Sequence, residues 1–466
     1  MKHTRLAVLA LFLFTALIIF GCGGGSMVTP PPPGTSAVSV TIRDTPPSGF
    51  TLLSFEVSVT GATLSPGNVD LLGGKGPFRI EVKQLETESA FLNTANVMPG
   101  TYTGASLTFA NPELTFRNDT GAALAGCAAG AVCEIKPTGT LTATVTFPAP
   151  GITISSGSSS GIQIDVNPNT ILSASLGVDF TQSGAVSVQQ LTMKPAGEFD
   201  DIDDLRGAVQ NLDTTNMRFT LHSMDGDFLV TTDGKTEFEF ENCAADNFTC
   251  LQNNQVVEVD ARLMPGGIFL ASKIEFEDDA EDDELDGVVF KIDDATHFEM
   301  VVLEELRSVN NVSVGNPVMV TLSNPSFRVK TDGLQVPSAL QGAFEGAVDT
   351  SQLLTGQTVQ IRLTSPANPG PPIAVTSDRV RLRTTQLTAK VQGAPAPPNF
   401  MLGSLPSLFT NASITGIHVQ TSSSTDFVDV SGVAALADGD TVSLRGLLFK
   451  NGVNPPELIA KKVRKR

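Results

Sequence analysis

Five cysteines and two acidic runs hold the residues whose spacing could do chemistry. Cys127 and Cys133 bracket one short stretch, "CAAGAVC", and Cys243 and Cys250 another, "CAADNFTC". Two close, even pairs predict two short-loop disulfides, formed outside a reducing cytoplasm. A shared metal would need all four thiols, but the pairs lie over a hundred residues apart. They also lack the two-residue spacing of zinc ligands. The run "EDDAEDDELDG" and the residues after it place Asp282, Glu284, Asp286 and Asp293 at intervals that imitate a calcium loop. Hard cations favour such clustered carboxylates. Asp293 stands where a bidentate Glu is expected, and the plainer reading is a solvated linker. Calcium is the one cofactor the sequence suggests. "EFDDIDDL", from Glu198 to Leu205, is a second acidic junction. "GSSSG" centres on Ser159, but a nucleophile elbow needs a helix after the serine, and "IQIDV" reads as a strand. His222, His297 and His418 fall far apart, so no triad is expected, and the chain is read as non-enzymatic.

Cys22 raises different chemistry. Lys2, His3 and Arg5 precede an apolar run from Leu6 to Phe20. That run is shorter than a membrane-spanning helix requires. A positive start, a short apolar middle and a small residue before a cut describe a secretory signal over residues 1–21. Ile19-Phe20-Gly21-Cys22 resembles a bacterial lipobox, in which the cysteine is diacylated and becomes the new N-terminus. Residues 22–36 then form a Gly/Pro tether with no means of building a core. The expected address is the bacterial cell envelope, as an outer-membrane lipoprotein on the periplasmic face or the cell surface.

The formal charge is −19, and five cations crowd into the final "KKVRKR", so the rest of the chain is more acidic still. Such a surface repels nucleic acid phosphates. The basic tail reads as a solvated end, or as a contact for anionic headgroups. Tryptophan is absent, Tyr102 is the one tyrosine, and there are 27 phenylalanines. That balance suits cores better than sugar-stacking faces.

The elements that must position these residues are strands. "FEVSVTGATL", "TLTATVTF" and "GIQIDV" alternate apolar and polar residues between frequent Gly, Pro, Asn and Asp breaks. One modest helix is expected from Leu85 to Asn93. Residues 37–197 predict a β-sandwich in which Tyr102, just after the Pro99-Gly100 turn, ties a corner with its hydroxyl. Three internal copies follow, over 205–276, 285–383 and 384–466. Asn254, Gly356 and Gly439 align at a turn that needs left-handed backbone. Val257, Val359 and Val442 align after it, as do Val259, Ile361 and Leu444. Five or six strands per copy predict small OB- or SH3-like barrels. The fold class is therefore all-β, a sandwich followed by three barrel repeats in series, pictured as a rod.

The first unit resembles the family called domain of unknown function 4382, through "VSVTIRDTPPSG", "VKQLETESAFL" and "PGTYTGASLTF". The copies resemble domain of unknown function 5666, through "LxxGxxVxV" followed by "xAxxI". The resemblance implies a bacterial envelope lipoprotein and transfers no catalytic residue. The expected function is a lipid-anchored scaffold or adhesion module whose partners are the membrane and other envelope proteins or polymers, not nucleic acid. The alternative is a calcium- or small-ligand-binding lipoprotein, which would require a concave pocket with converging carboxylates.

Overall fold

A computed structural model describes residues 34–44, 51–223, 226–240, 243, 245–276, 283–305, 309–331 and 333–466. The signal peptide, Cys22, most of the tether and Asp282 lie outside the described residues.

The first unit is a two-sheet sandwich. One sheet runs in the order Val186–Leu191, Ser159–Val166, Ser36–Asp44, Ala90–Val97. The other is built on a long antiparallel pair, Thr51–Ser65 against Gly104–Arg117. Strand alternation sends Val38, Val40 and Ile42 inward from one sheet and Phe55, Val57 and Phe109 from the other, into one core. The Tyr102 hydroxyl donates to the Met98 carbonyl at 2.8 Å. That bond ties the corner as expected.

Each repeat closes through five strands in one order, of the Greek-key OB kind, and in the first and third a short additional strand, Glu237–Glu239 and Asp426–Val428, pairs with the fifth. In the second, Glu284–Ile292, His297–Glu305, Pro317–Val329, Thr358–Leu363 and Ile373–Arg383 form a closed circuit. The first strand pairs with the second and fourth, and the third pairs with the fifth in parallel. The first and third barrels close through the same parallel contact. The aligned turn residues all have positive φ: 70 at Asn254, 92 at Gly356 and 84 at Gly439, in degrees. This is the backbone their types allow. Their amides donate to Val209, Val289 and Val391 of the respective first strands, at 2.7, 2.7 and 2.9 Å. Phe238, Phe327 and Phe427 meet Ile274, Val380 and Val463 at one place in each circuit.

Three expectations are corrected. Val82–Glu86 forms one 3-10 turn, and Ala90–Val97 is a strand, so no helix spans 85–93. The Glu81 side chain caps the turn, and Leu92, Asn93 and Ala95 are then buried in sheet geometry. The basic tail is no frayed end: Glu457–Lys465 is the fifth strand of the third barrel, with Lys462 and Arg464 buried. Nor are the units a rod. Phe91 of the sandwich sits between Phe228 and Phe269 of the first barrel, at ring-centre distances of 6.1 and 5.1 Å. Leu447, Phe449 and Ile459 of the third barrel share the core of the second. Thr115 of the sandwich donates to the Gly315 carbonyl of the second barrel at 2.6 Å. Both disulfides form, Cys127–Cys133 and Cys243–Cys250.

Candidate functional site

All four units border one cleft of about 1190 Å³. The sandwich supplies Leu52, Phe78, Glu81 and Phe91; the first barrel Asp203, Asp204 and Arg206; the second Glu304 and Glu305; and the third Phe409 and Arg445. Its walls mix apolar side chains with many charged ones, so the cleft is more polar than the usual ligand pocket.

The segment Val82 to Phe91 holds the cleft together. The Gln84 amide donates to the Leu303 carbonyl of the second barrel at 3.3 Å. Gln386 of the third barrel donates back to the Gln84 carbonyl at 2.6 Å, and Thr388 donates to Glu86 at 2.8 Å. Phe91 then enters the first barrel's aromatic cluster. The segment is too short to carry a core of its own, so its side chains are spent on three neighbours.

Two buried ion networks flank it. In the first, Arg206 reaches Glu258 at 2.8 Å and Asp286 at 3.3 Å, while Arg383 reaches Glu258 at 3.0 Å. Lys330 completes it at 3.1 Å from Glu258. Burial alone would push the Glu258 carboxyl up, but Lys330, Arg383 and Arg206 together hold it well below the usual range. In the second, Lys462 meets Asp203 at 2.8 Å, Lys461 meets Asp260 at 3.0 Å, and Arg445 lies against Glu88 and Asp204. Burial pushes the Arg445 guanidinium down to about 9, which leaves it charged at neutral pH.

These networks take up several of the described carboxylates of the acidic junctions, of which residues 277–282 lie outside the described residues. Asp203 and Asp204 face the basic strand 457–465. Glu284 pairs with Arg379, Asp286 with Arg206 and Arg383, and Asp293 with Lys291 at 2.6 Å. The calcium-like spacing thus distributes its described carboxylates among separate cations. Among the described residues no group of three or more His, Cys, Asp or Glu side chains is placed to hold a metal. Ser159 opens the strand Ser159–Val166, with no helix directly after it. His222, His297 and His418 lie beside Asp227, Asp294 and Glu457 of their own barrels. Reading the sequence alone missed Arg206, Arg383 and Arg445. One signal was available: Arg206 and Asp286 occupy the same place in aligned copies, "LRGAV" and "LDGVV", with opposite charge.

The fold and cleft define an all-β protein in which a sandwich and three OB-type barrels surround a shared cavity. Residues 206–275 and 405–463, within the first and third barrels, match the family model described as Domain of unknown function (DUF5666). No curated protein matches the chain.

Proposed function

We propose that this is a non-enzymatic, lipid-anchored envelope protein that binds a ligand, or one segment of an envelope polymer or partner protein, in the cleft between its four units. One observation carries the reading: a single cavity of about 1190 Å³ bordered by sandwich and barrels alike. An extended scaffold has no need for its modules to fold back around a common space. The separate placement of the three histidines and of Ser159 supports binding over catalysis. The lipobox at Cys22 supports an outer-membrane anchor, and the two disulfides support an oxidising compartment. The sandwich motifs support kinship with domain of unknown function 4382. Charge supports partners other than nucleic acid.

A photo-crosslinking residue at Ser313, exposed in the cleft, tests the reading in the native cell against one at Ser183, exposed on the sandwich away from it. Adducts that form from Ser313 alone, and fall away in Cys22→Ala, are expected. Equal adducts from both positions, or none from Ser313, would remove the cleft from the function.

A further inference from the structure

The tether enters the sandwich at one end of its sheets, and four loops gather there. Ser36 pairs with Val97 and donates its hydroxyl to the Ser155 carbonyl at 2.6 Å. Ile154 pairs with Gly100, and the Tyr102 hydroxyl holds the Met98 carbonyl. The Thr103 amide donates to the Ser65 carbonyl, and the Phe147 amide to the Thr103 carbonyl, both at 2.8 Å. Leu191 pairs with Gly161, and Phe199 returns to lie against that glycine. The turn between them, which carries Met193, therefore projects beyond the strand Ser159–Val166 at the same end.

Two features set this end apart. Residues 23–42, 57–69, 89–112, 137–164 and 180–193 hold no Asp, Glu, Lys or Arg, although the chain carries a formal charge of −19. Of the charges that border it, Lys194 pairs with Asp201 at 2.5 Å, Glu198 is buried, and Asp70 accepts from the Leu72 and Gly74 amides at 2.8 and 2.9 Å. Charge returns at the opposite end, where Arg43 pairs with Asp165 and the third barrel docks: Arg466 donates to the Asp44 carbonyl and Asn411 to the Asp119 carboxylate. The second feature is apolar. Met98 and Met193 are 59% and 47% exposed, and they follow the two outer strands of the sheet that holds the entering strand, one on either side of it.

We infer that this end of the sandwich is a membrane-contact surface, with Met98 and Met193 seated in the headgroup region of the bilayer that holds the lipidated Cys22. The inference rests on the lipid-anchor part of the reading above and is independent of what the cleft binds. Anionic lipid repels an acidic protein, so an uncharged face is the one that approaches without electrostatic cost. Methionine side chains are flexible and apolar, which suits an irregular interface. Two of them alone bind a bilayer weakly, but they do not act alone. Whatever their conformation, residues 23–33 keep the sandwich within about 40 Å of Cys22. That confinement raises the effective concentration of the surface and favours a weak contact. Contact at this end turns the third barrel away from the lipid.

The full-length protein, extracted in detergent and returned to vesicles of phosphatidylethanolamine and phosphatidylglycerol, tests this with one fluorophore on an engineered thiol and nitroxide-bearing lipid as quencher. Labels at Met98→Cys and Met193→Cys should be quenched, and one at Val453→Cys, exposed on the third barrel, should not. A label at Ser156→Cys, exposed at the same end, leaves both methionines in place and should also be quenched. Adding Met98→Asp and Met193→Asp should abolish that quenching while the protein still floats with the vesicles. Flotation with Met98 and Met193 labels quenched no more than the Val453 label, or Ser156 quenching that survives both aspartates, would overturn the surface contact and leave the anchor standing. A wild-type chain that does not float with the vesicles would overturn both.

Discussion

Glu258 is a buried acid and Glu81 a half-buried one, and their surroundings send them in opposite directions. Glu258 is held low by three cations. The stability it contributes is therefore present above its unfolded value of about 4.3 and is lost as the pH falls through its depressed folded value. Truncating one partner strands the rest, and Arg206→Ala is expected to cost about 3–5 kcal/mol in urea unfolding at pH 7. Glu81 is raised, so it weakens the fold progressively as the pH climbs from about 4.5 to 7. Glu81→Gln should therefore raise stability at pH 8 by up to about 3 kcal/mol, with the gain gone near pH 4.5. Melting curves across that range check it, and a gain of equal size at pH 4.5 and 8 would contradict the assignment. Residue-level chemistry was only partly legible in the sequence. Local disulfides and the Tyr102 tie depend on neighbours a few positions away, and spacing revealed them. Glu258 depends on Arg383, 125 positions on, and no local pattern carries such a pairing.

The barrels were legible as elements because turn chemistry and strand period act over short range. Asn254, Gly356 and Gly439 need left-handed backbone wherever the barrels sit. What such a turn touches was hidden. A Cβ on Gly356 would run into the Phe409 ring of the third barrel, and one on Gly267 would run into the Thr94 hydroxyl of the sandwich. These glycines thus serve both the turn and a close approach between units. Gly356→Ala should destabilise by about 1–3 kcal/mol through overpacking and backbone strain together. Adding Phe409→Ala should relieve the first part alone, so that the double-mutant cycle shows coupling; strictly additive costs would mean the ring is not what the glycine accommodates. The expected helix at 85–93 failed because the segment's packing is decided by three other units. The tail failed because five cations in six residues obscure the strand alternation, although Val463 lies wholly inside.

At the scale of the molecule, four modules in sequence order fold back into one body. Sequence periodicity describes what lies within a copy and is silent on which outer faces meet. The ion networks and the sharing of cores across barrels answer that question. Small-angle scattering is expected to give a radius of gyration of about 22 Å for residues 34–466, the value for a single compact chain of that length. A markedly larger value, with the profile of beads on a string, would restore the rod.

The contact between Arg206 and Asp286 joins equivalent positions of two related copies, at 3.3 Å and out of water. It gives each copy a polarity that its neighbour must complement. An unequal crossover that replaced the second copy by a duplicate of the first would set arginine against arginine, and the reverse exchange would set aspartate against aspartate. The array is therefore closed to growth or loss by simple recombination. Its copies have become distinct parts, each with one admissible address.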